Sequence, residues 1–218
     1  MDLDWIGRNL SEGEDILGLL GLHLVLALTP VLCALVLSVP VGYLVHRTRA
    51  GAAPLLALFG IVYSVPSLAL FVAIPVVIGT QILDPLNIVV ALTVYTLALL
   101  VRSVVDGFRS VPVDARQAAE SMGMGPVRRV LTVELPLAMP VVFAGLRVAT
   151  VSNIALVSVG AVIGSGALGQ LFDLGLRQAF YTPIIVGIVL IVALALLFDG
   201  VILMLQRVLL PWYRKAAA

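Results

Sequence analysis

The chain has 218 residues, of which 61% are hydrophobic and 11% charged, with a mean hydropathy of +1.17 and a formal net charge of +1. A soluble domain of this length cannot bury so much apolar surface, so the composition predicts a polytopic membrane protein. The single lysine, Lys215, excludes a phosphate-binding loop of the Gly-x-x-x-x-Gly-Lys type. If ATP powers the protein, another chain hydrolyses it.

Residues 1–21 form an acidic segment without a basic n-region or a small-residue cleavage site, which is not typical of a cleavable signal peptide. Five apolar runs follow, each long enough to cross the hydrocarbon core at about 20 residues per span. The predicted spans are about 22–45, 53–79, 88–105, 140–163 and 183–206. The fold is therefore predicted to be all-α, with residues 1–218 as a single transmembrane domain.

Basic residues predict the orientation of the chain, because cytoplasmic loops retain arginine and lysine. With five spans, ten of the 13 basic residues fall on one side, Arg8 and Arg177 fall on the other, and Arg147 lies inside a span. This predicts an outside N-terminus, a cytoplasmic C-terminus and a multi-pass location in the cell inner membrane, in contact with lipid. The polar segment of about 110–139 then faces the cytoplasm, where ATP is available.

The second span contains a proline between two serines: Ser64, Pro66 and Ser67. A proline inside a membrane helix frees a backbone carbonyl, which a nearby serine hydroxyl can satisfy. Two interpretations stay open. The segment is either an ordinary proline kink or a polar stretch that lines a substrate pathway.

The polar segment has the pattern of a short helix. Asp114, followed three residues later by Gln117, has the spacing of a capping box. Gly123 predicts the end of the helix, and Gly125 and Pro126 prevent its continuation.

One face of this short helix is small and apolar, because Ala118, Ala119 and Met122 share it. We expect that face to seat in a groove on another protein. Leu135 and Pro136 follow and connect the helix to the fourth span, so a force on the helix can reach the membrane.

Small and polar residues recur at helical spacing along the fourth span: Thr150, Asn153, Gly160 and Gly164. The two glycines form a Gly-x-x-x-Gly pair, which allows two helix backbones to approach closely. We favour an interface between two copies that encloses a pathway. Packing inside one chain stays open as the alternative.

Two charges lie inside predicted spans, Arg147 in the fourth and Asp199 in the fifth. They are at similar depth, and a charge in the membrane is unfavourable unless it is paired or hydrated. We predict that they pair with each other, directly or through water, with a proton or ion relay as the alternative.

The polar segment also carries a resemblance to a known family. Gln117-Ala118-Ala119, three residues, Gly123, nine residues, then 133–136 (Val-Glu-Leu-Pro) resembles the coupling loop of ABC importer permeases. That loop has the pattern Glu-Ala-Ala, three residues, Gly, nine residues, Ile-x-Leu-Pro. Gln117 stands where the family usually has Glu, and Glu120 follows one turn later.

Further segments make nearly the whole chain similar to the permease subunits of osmoprotectant ABC importers, the glycine betaine, carnitine and choline branch. They are residues 65–70, 134–138, 144–147 and 163–169. Ala167 stands where that family commonly has glycine. Methionine permeases and other small-solute ABC permeases share the size and the five spans, and remain the nearest alternative.

The resemblance implies a type I ABC importer permease that is not itself an enzyme. Two permeases, identical or similar, form the pore, cytoplasmic ABC ATPase subunits move the coupling helices, and an extracytoplasmic binding protein delivers glycine betaine or a related quaternary ammonium solute. It implies no catalytic residue, cofactor, metal ion or nucleic acid. The residues assigned to ATPase coupling are Asp114, Gln117, Ala118, Ala119, Glu120, Met122, Gly123, Leu135 and Pro136.

Two other classes of function compete with this interpretation. A secondary transporter that works without ATP needs several intramembrane ionisable residues, and one Arg and one Asp are too few. A membrane scaffold does not explain a short polar helix at a fixed distance from Leu135-Pro136.

Overall fold

The computed structural model describes residues 3–10, 15–48 and 51–212, and all regular elements within these ranges are helical. The α-helices are α1 (Leu3–Arg8), α2 (Ile16–Arg47), α3 (Ala52–Ser64), α4 (Ser67–Ile78), α5 (Leu86–Arg109), α6 (Val113–Ser121), α7 (Pro126–Arg129), α8 (Leu135–Val157), α9 (Gln170–Arg177) and α10 (Tyr181–Leu209). A π-helical turn (Val130–Glu134) joins α7 to α8, and two 3₁₀ turns (Ser158–Ile163 and Ala167–Gly169) lie between α8 and α9.

Within the described ranges, four helical stretches are long and apolar enough to cross a membrane: α2, α5, Pro126–Ile163 and α10. The pair α3 and α4 passes the same test together, although it is bent by 99°. The count agrees with the five predicted spans when the bent pair is taken as one span.

The second span, predicted over 53–79 with a proline inside it, is broken into two helices at Pro66. Pro66 has no amide hydrogen, and its ring disfavours a helical conformation at the residue before it. Val65 is accordingly extended, with φ −63° and ψ 132°, and the helix resumes at Ser67. A bend of 99° is larger than an ordinary proline kink.

The fourth span also differs from its prediction of 140–163. The helical stretch begins earlier, at Pro126, and passes through the π-helical turn Val130–Glu134 into α8 at Leu135. Helix α8 ends earlier, at Val157, and the chain continues as a 3₁₀ turn to Gly164, whose φ of 82° stops it. Gly160 and Gly164 therefore do not lie on one α-helix.

Helix α5 is the centre of the bundle and packs against α2, α3 and α8. Its buried face joins the largest apolar core, which includes Leu26, Phe71, Ile88, Leu92 and Ile154. The outer faces of α2, α4 and α10 instead expose large aliphatic side chains, as a lipid-facing surface does. This arrangement leaves the polar segment of residues 110–139, here named the coupling loop, at one end of the bundle.

Candidate functional site: the coupling loop and the spanning helices

Helix α6 begins without a side-chain cap, so the predicted capping box is wrong. Pro112 is the N-cap residue, with φ −56° and ψ 138°, and no side chain accepts a bond from the first turn. Asp114 lies within the first turn itself. Its carboxylate there interacts favourably with the positive end of the helix dipole and does not accept a capping bond from a backbone amide.

The end of α6 at Gly123 is confirmed. Gly123 has φ 74°, in the left-handed region that glycine adopts without strain. The Gly123 amide donates to the Glu120 carbonyl at 2.9 Å, and the Met124 amide donates to the Ala119 carbonyl at 3.1 Å. These two bonds form a Schellman motif, which satisfies the last carbonyls of a helix and fixes the direction of the chain after it.

The predicted docking face of α6 needs one correction. Ala119 is 1% exposed, because it faces the rest of the chain, and its small methyl group lets α6 lie close to its neighbours. Ala118 and Met122, one turn apart, are exposed, and so is Gln117. The surface open to a partner is therefore Ala118 with Met122, without Ala119.

A cluster of four charges, here named the charge cluster, holds α6 to the start of α8. Glu134 is 4% exposed, and its Oε1 accepts a bond of 2.7 Å from Nε of Arg129. Its Oε2 lies 3.6 Å from Nε of Arg116. Arg129 also donates to the carboxylate of Glu120. Each carboxylate thus has a guanidinium partner, which a buried carboxylate needs.

Sequence reasoning did not find this cluster, although a signal was present. Arg129 and Glu134 are five residues apart, a spacing that does not bring side chains together on an α-helix. The π-helical turn Val130–Glu134 has i to i+5 hydrogen bonding, so residues five apart lie one above the other. A glutamate between Val133 and Leu135, next to an apolar span, was the available hint.

Arg116 adds a second connection, because its guanidinium donates to the carbonyl of Phe108 near the end of α5. Helix α6 is thus fastened to α5 through Arg116 and to α8 through Glu134. Leu135 and Pro136, assigned to coupling, are the first two residues of α8. The described residues contain no group of three or more His, Cys, Asp or Glu side chains that could hold a metal ion.

The polar residues at the break between α3 and α4 lie on the surface of the chain. Ser64 is exposed, and its hydroxyl donates to the Ile61 carbonyl at 2.8 Å. Pro66 is exposed and Ser67 is partly exposed. The serine bonding expected of a proline break is therefore present at Ser64, and the break remains accessible from outside the chain.

Three residues of the small and polar face of the fourth span, Thr150, Asn153 and Gly160, are buried inside one chain, which favours the alternative of packing within the chain over an interface between copies. Thr150 is 1% exposed and Asn153 is 2% exposed. The Thr96 hydroxyl on α5 donates to Oδ1 of Asn153 at 3.0 Å. A Cβ at Gly160 would lie 2.5 Å from Cδ1 of Ile88, so that glycine serves packing against α5. Gly164 is exposed at the end of the 3₁₀ turn.

The predicted pair of intramembrane charges is confirmed. Nε and Nη2 of Arg147 donate to the two carboxylate oxygens of Asp199 at 2.7 and 2.8 Å. The two side chains are 35% and 27% exposed, which makes the pair half-buried rather than buried. This bidentate contact joins α8 to α10 and gives each of the two charges a partner of opposite sign.

The loop between α8 and α9 contains a strained residue. Ala167 is buried and has φ 46°, in the left-handed region that an alanine rarely adopts. The Ser165 hydroxyl donates to the Leu83 carbonyl at 2.8 Å and holds the loop against the segment before α5.

Comparison with known proteins agrees with this architecture. Residues 24–211 match the family model described as binding-protein-dependent transport system inner membrane component. The osmoprotectant import permease protein OsmW of Salmonella typhimurium is 35% identical over 96% of this chain and 98% of the relative. The choline transport system permease protein OpuBB of Bacillus subtilis is 31% identical over 87% of this chain and 86% of the relative.

The fold is also similar to that of a solved transporter. An inward-facing form of the MetNI methionine ABC transporter has a chain with a TM-score of 0.80 and 24% identity, covering 90% of this chain and 99% of that chain. This is the type I ABC permease fold. Permeases of this kind are not catalytic, and a separate ATPase subunit hydrolyses ATP. The chain therefore belongs to the family of binding-protein-dependent transport system inner membrane components.

Proposed function

We propose that this chain forms the translocation pathway of an ATP-driven importer for glycine betaine or related quaternary ammonium osmoprotectants. The similarity to an osmoprotectant permease over 96% of the chain supports this substrate class. A second permease, identical or similar, completes the pore. An extracytoplasmic binding protein delivers the solute, and the coupling loop faces the cytoplasm and its ABC ATPase subunits.

The observation that carries the proposal is the geometry of α6. It presents Ala118 and Met122 outward, while the charge cluster and the Schellman motif hold its opposite side and its end. A helix held in this way moves as a rigid body when a partner contacts its exposed face. An ATPase subunit that contacts Ala118 and Met122 therefore moves the whole helix and not one side chain.

The movement has two routes into the membrane. Arg116 bonds to the carbonyl of Phe108 at the end of α5, and Glu134 immediately precedes α8. The Arg147–Asp199 pair extends the second route from α8 to α10. Because α5 and α8 also pack against each other, we infer that α5, α8 and α10 move together.

The break between α3 and α4 is the proposed place at which the pathway changes shape. An extended residue at Val65 joins two short helices, so the two can change their angle without breaking a helical ladder. Ser64, Pro66 and Ser67 are accessible there. We propose that they border the solute pathway.

The test is ATP-dependent uptake of radiolabelled glycine betaine into vesicles that contain this chain with its ATPase and binding protein. We expect uptake that unlabelled choline and carnitine reduce and unlabelled methionine does not. Vesicles with a hydrolysis-deficient ATPase are the control. If betaine is not taken up while ATP turnover still responds to the loaded binding protein, the substrate class is wrong and the transport function stands.

A further inference from the structure

A cavity of about 490 Å³ lies between α3, α5 and α8, in the half of the bundle nearer the coupling loop. The residues that line it recur at helical spacing, because they come from one face of each helix. The side chains that give it chemical character are Phe59, Tyr63, Arg102, Ser103 and Asp106. None of them belongs to the charge cluster or to the Arg147–Asp199 pair.

Small residues make the room for this cavity. Gly60, Ala98 and Ala144 lie on its walls, where larger side chains would fill it. A Cβ at Gly145 would lie 2.2 Å from Oγ of Ser103, so α5 and α8 are in contact where these two residues meet. The cavity therefore ends on a close contact of two helices and has space for a small solute.

Two aromatic rings lie on the α3 wall, one turn apart. Phe59 is partly buried, whereas Tyr63 is 47% exposed. The ring of Tyr63 packs edge-to-face on Tyr95, with 5.8 Å between centroids and 79° between planes, which holds its orientation. Aromatic rings attract quaternary ammonium groups through the cation–π interaction.

The α5 wall carries a positive charge without a partner. Within the part of the chain that the structure describes, the guanidinium of Arg102 makes no hydrogen bond or ion pair. Asp106, one turn further along α5, instead lies 3.8 Å from Arg109. A planar guanidinium without a partner is suited to a carboxylate, which it can bind through two parallel hydrogen bonds, and the one carboxylate among the residues that line the cavity, Asp106, faces Arg109.

The aromatic and cationic groups are separated along the cavity. Arg102 lies two helical turns after Tyr95, about 10 Å along α5, and Tyr95 contacts Tyr63. Phe59 is one turn, about 6 Å, from Tyr63 along α3. A small molecule with a cationic group at one end and an anionic group at the other can contact both the rings and Arg102.

We propose that this cavity is a solute site inside the pathway, and that it takes a small zwitterion. The quaternary ammonium group of the solute lies against Phe59 and Tyr63, and its carboxylate pairs with Arg102. The inference rests on the proposed function, because it assigns the substrate class of the same pathway. It separates two kinds of solute, since choline has the ammonium group of glycine betaine but no carboxylate.

The first test compares two solutes in one complex. In the complete transporter, we expect Arg102→Gln to lower the uptake of glycine betaine about tenfold, because a charge-assisted bond is lost, and to change choline uptake less than about twofold. The ratio of the two uptake rates cancels effects on folding and on ATPase coupling. Arg102→Lys restores part of the ratio, and Arg207→Gln, an exposed residue of α10 outside the cavity wall, leaves it unchanged.

The second test needs neither ATPase nor binding protein. With Cys33→Ser as background, Ser103→Cys places a single thiol in the cavity, and Ser110→Cys places one on the surface after α5. We expect glycine betaine to slow the reaction of the first thiol with a small methanethiosulfonate reagent and not that of the second. Arg102→Gln abolishes this protection.

The outcomes separate the two proposals. An unchanged betaine-to-choline ratio in Arg102→Gln, or the absence of protection at Ser103→Cys, overturns the zwitterion site. If the unmodified transporter takes up neither solute, the proposed function fails, and the protection assay still decides whether the cavity binds a zwitterion.

Discussion

In the coupling loop, Glu134 is 4% exposed between two arginines, whereas in the bundle Asn153 is 2% exposed beside the neutral hydroxyl of Thr96. Both side chains are buried and hydrogen-bonded, but Glu134 forms ion pairs, whereas Asn153 forms a hydrogen bond between two neutral groups. The loop lies at the end of the bundle, and water can solvate the outer members of its cluster. Inside the bundle, hydrocarbon surrounds the helices, and a charge there needs a full partner, as Arg147 has in Asp199.

The two regions differ in how much stability they lose when one hydrogen-bonding partner is removed. Removing Glu134 from the charge cluster leaves Arg116 without an ion-pair partner among the described residues, which is more damaging than losing a neutral bond. Removing one partner of the Thr96–Asn153 bond leaves a dipole whose alternative partners are close by. The loop is therefore the more fragile region, although it buries less apolar surface than the bundle.

The largest effect is expected from Glu134→Gln. This change removes the negative charge and replaces one of the two acceptor oxygens that face Arg116 and Arg129 with an NH₂ donor, and breaking a buried ion pair from one side destabilises by about 3–5 kcal/mol. We expect a lower thermal unfolding midpoint of the purified permease, together with loss of ATP-coupled uptake. Glu120→Gln is the matched control, because its side chain is 58% exposed and such pairs contribute only about 0–1 kcal/mol. Equal effects of the two changes would contradict the role given to Glu134.

The next effect is expected from Ala119→Arg, which tests where α6 meets the chain. Because Ala119 is 1% exposed, a bulky cation there must push α6 away from its neighbours, at about 1–3 kcal/mol or more. We expect reduced thermal stability as well as loss of coupling. Met122→Arg is the comparison, because Met122 is 68% exposed and its change should uncouple ATP turnover from uptake with the unfolding midpoint unchanged.

A smaller effect is expected in the bundle, where a double-mutant cycle measures the neutral bond between Thr96 and Asn153. Thr96→Val and Asn153→Leu each remove one partner, and the double change removes both. We expect a coupling energy of about 0.6 kcal/mol, the average for side-chain hydrogen bonds between membrane helices. The free energy of unfolding in mixed micelles supplies the four values. A coupling energy above that of the charge cluster would reverse the comparison.

The smallest effect, and one of opposite sign, is expected from Ala167→Gly. Glycine adopts the left-handed conformation of this buried turn without the steric penalty that alanine has there. The greater freedom of glycine in the unfolded chain offsets part of the gain, so we expect stabilisation of about 0.5 kcal/mol. Ala161→Gly, in the neighbouring 3₁₀ turn, is the control and should not stabilise. A lower unfolding midpoint for Ala167→Gly would show that its backbone is not strained.

Features that depend on a local pattern of residues were predicted correctly from the sequence. Hydrophobic runs set the number of spans, and Gly123 set the end of α6, since both follow from composition and backbone conformation over a few residues. The pair of Arg147 and Asp199 was predictable for a related reason. Two opposite charges at similar depth in hydrocarbon have few other partners.

The predictions were wrong for features that depend on which other residues surround a side chain. Asp114 has the spacing of a cap, but Pro112 begins the helix and places Asp114 inside it. Thr150 and Asn153 share a helical face, and only the position of α5 shows that this face is internal. Periodicity identifies a face and does not identify what covers it.

From the sequence alone came the all-α membrane class and the resemblance of the short helix α6 to the coupling loop of ABC importer permeases, because hydropathy and short motifs are properties of the linear chain. The tertiary structure decided which residues of that helix are open to a partner, how sharply the second span bends, and which arginines meet Glu134. It also decided that Arg102 and two aromatic rings share one cavity. These features depend on contacts between residues distant in sequence, and their geometry follows from packing rather than from pattern.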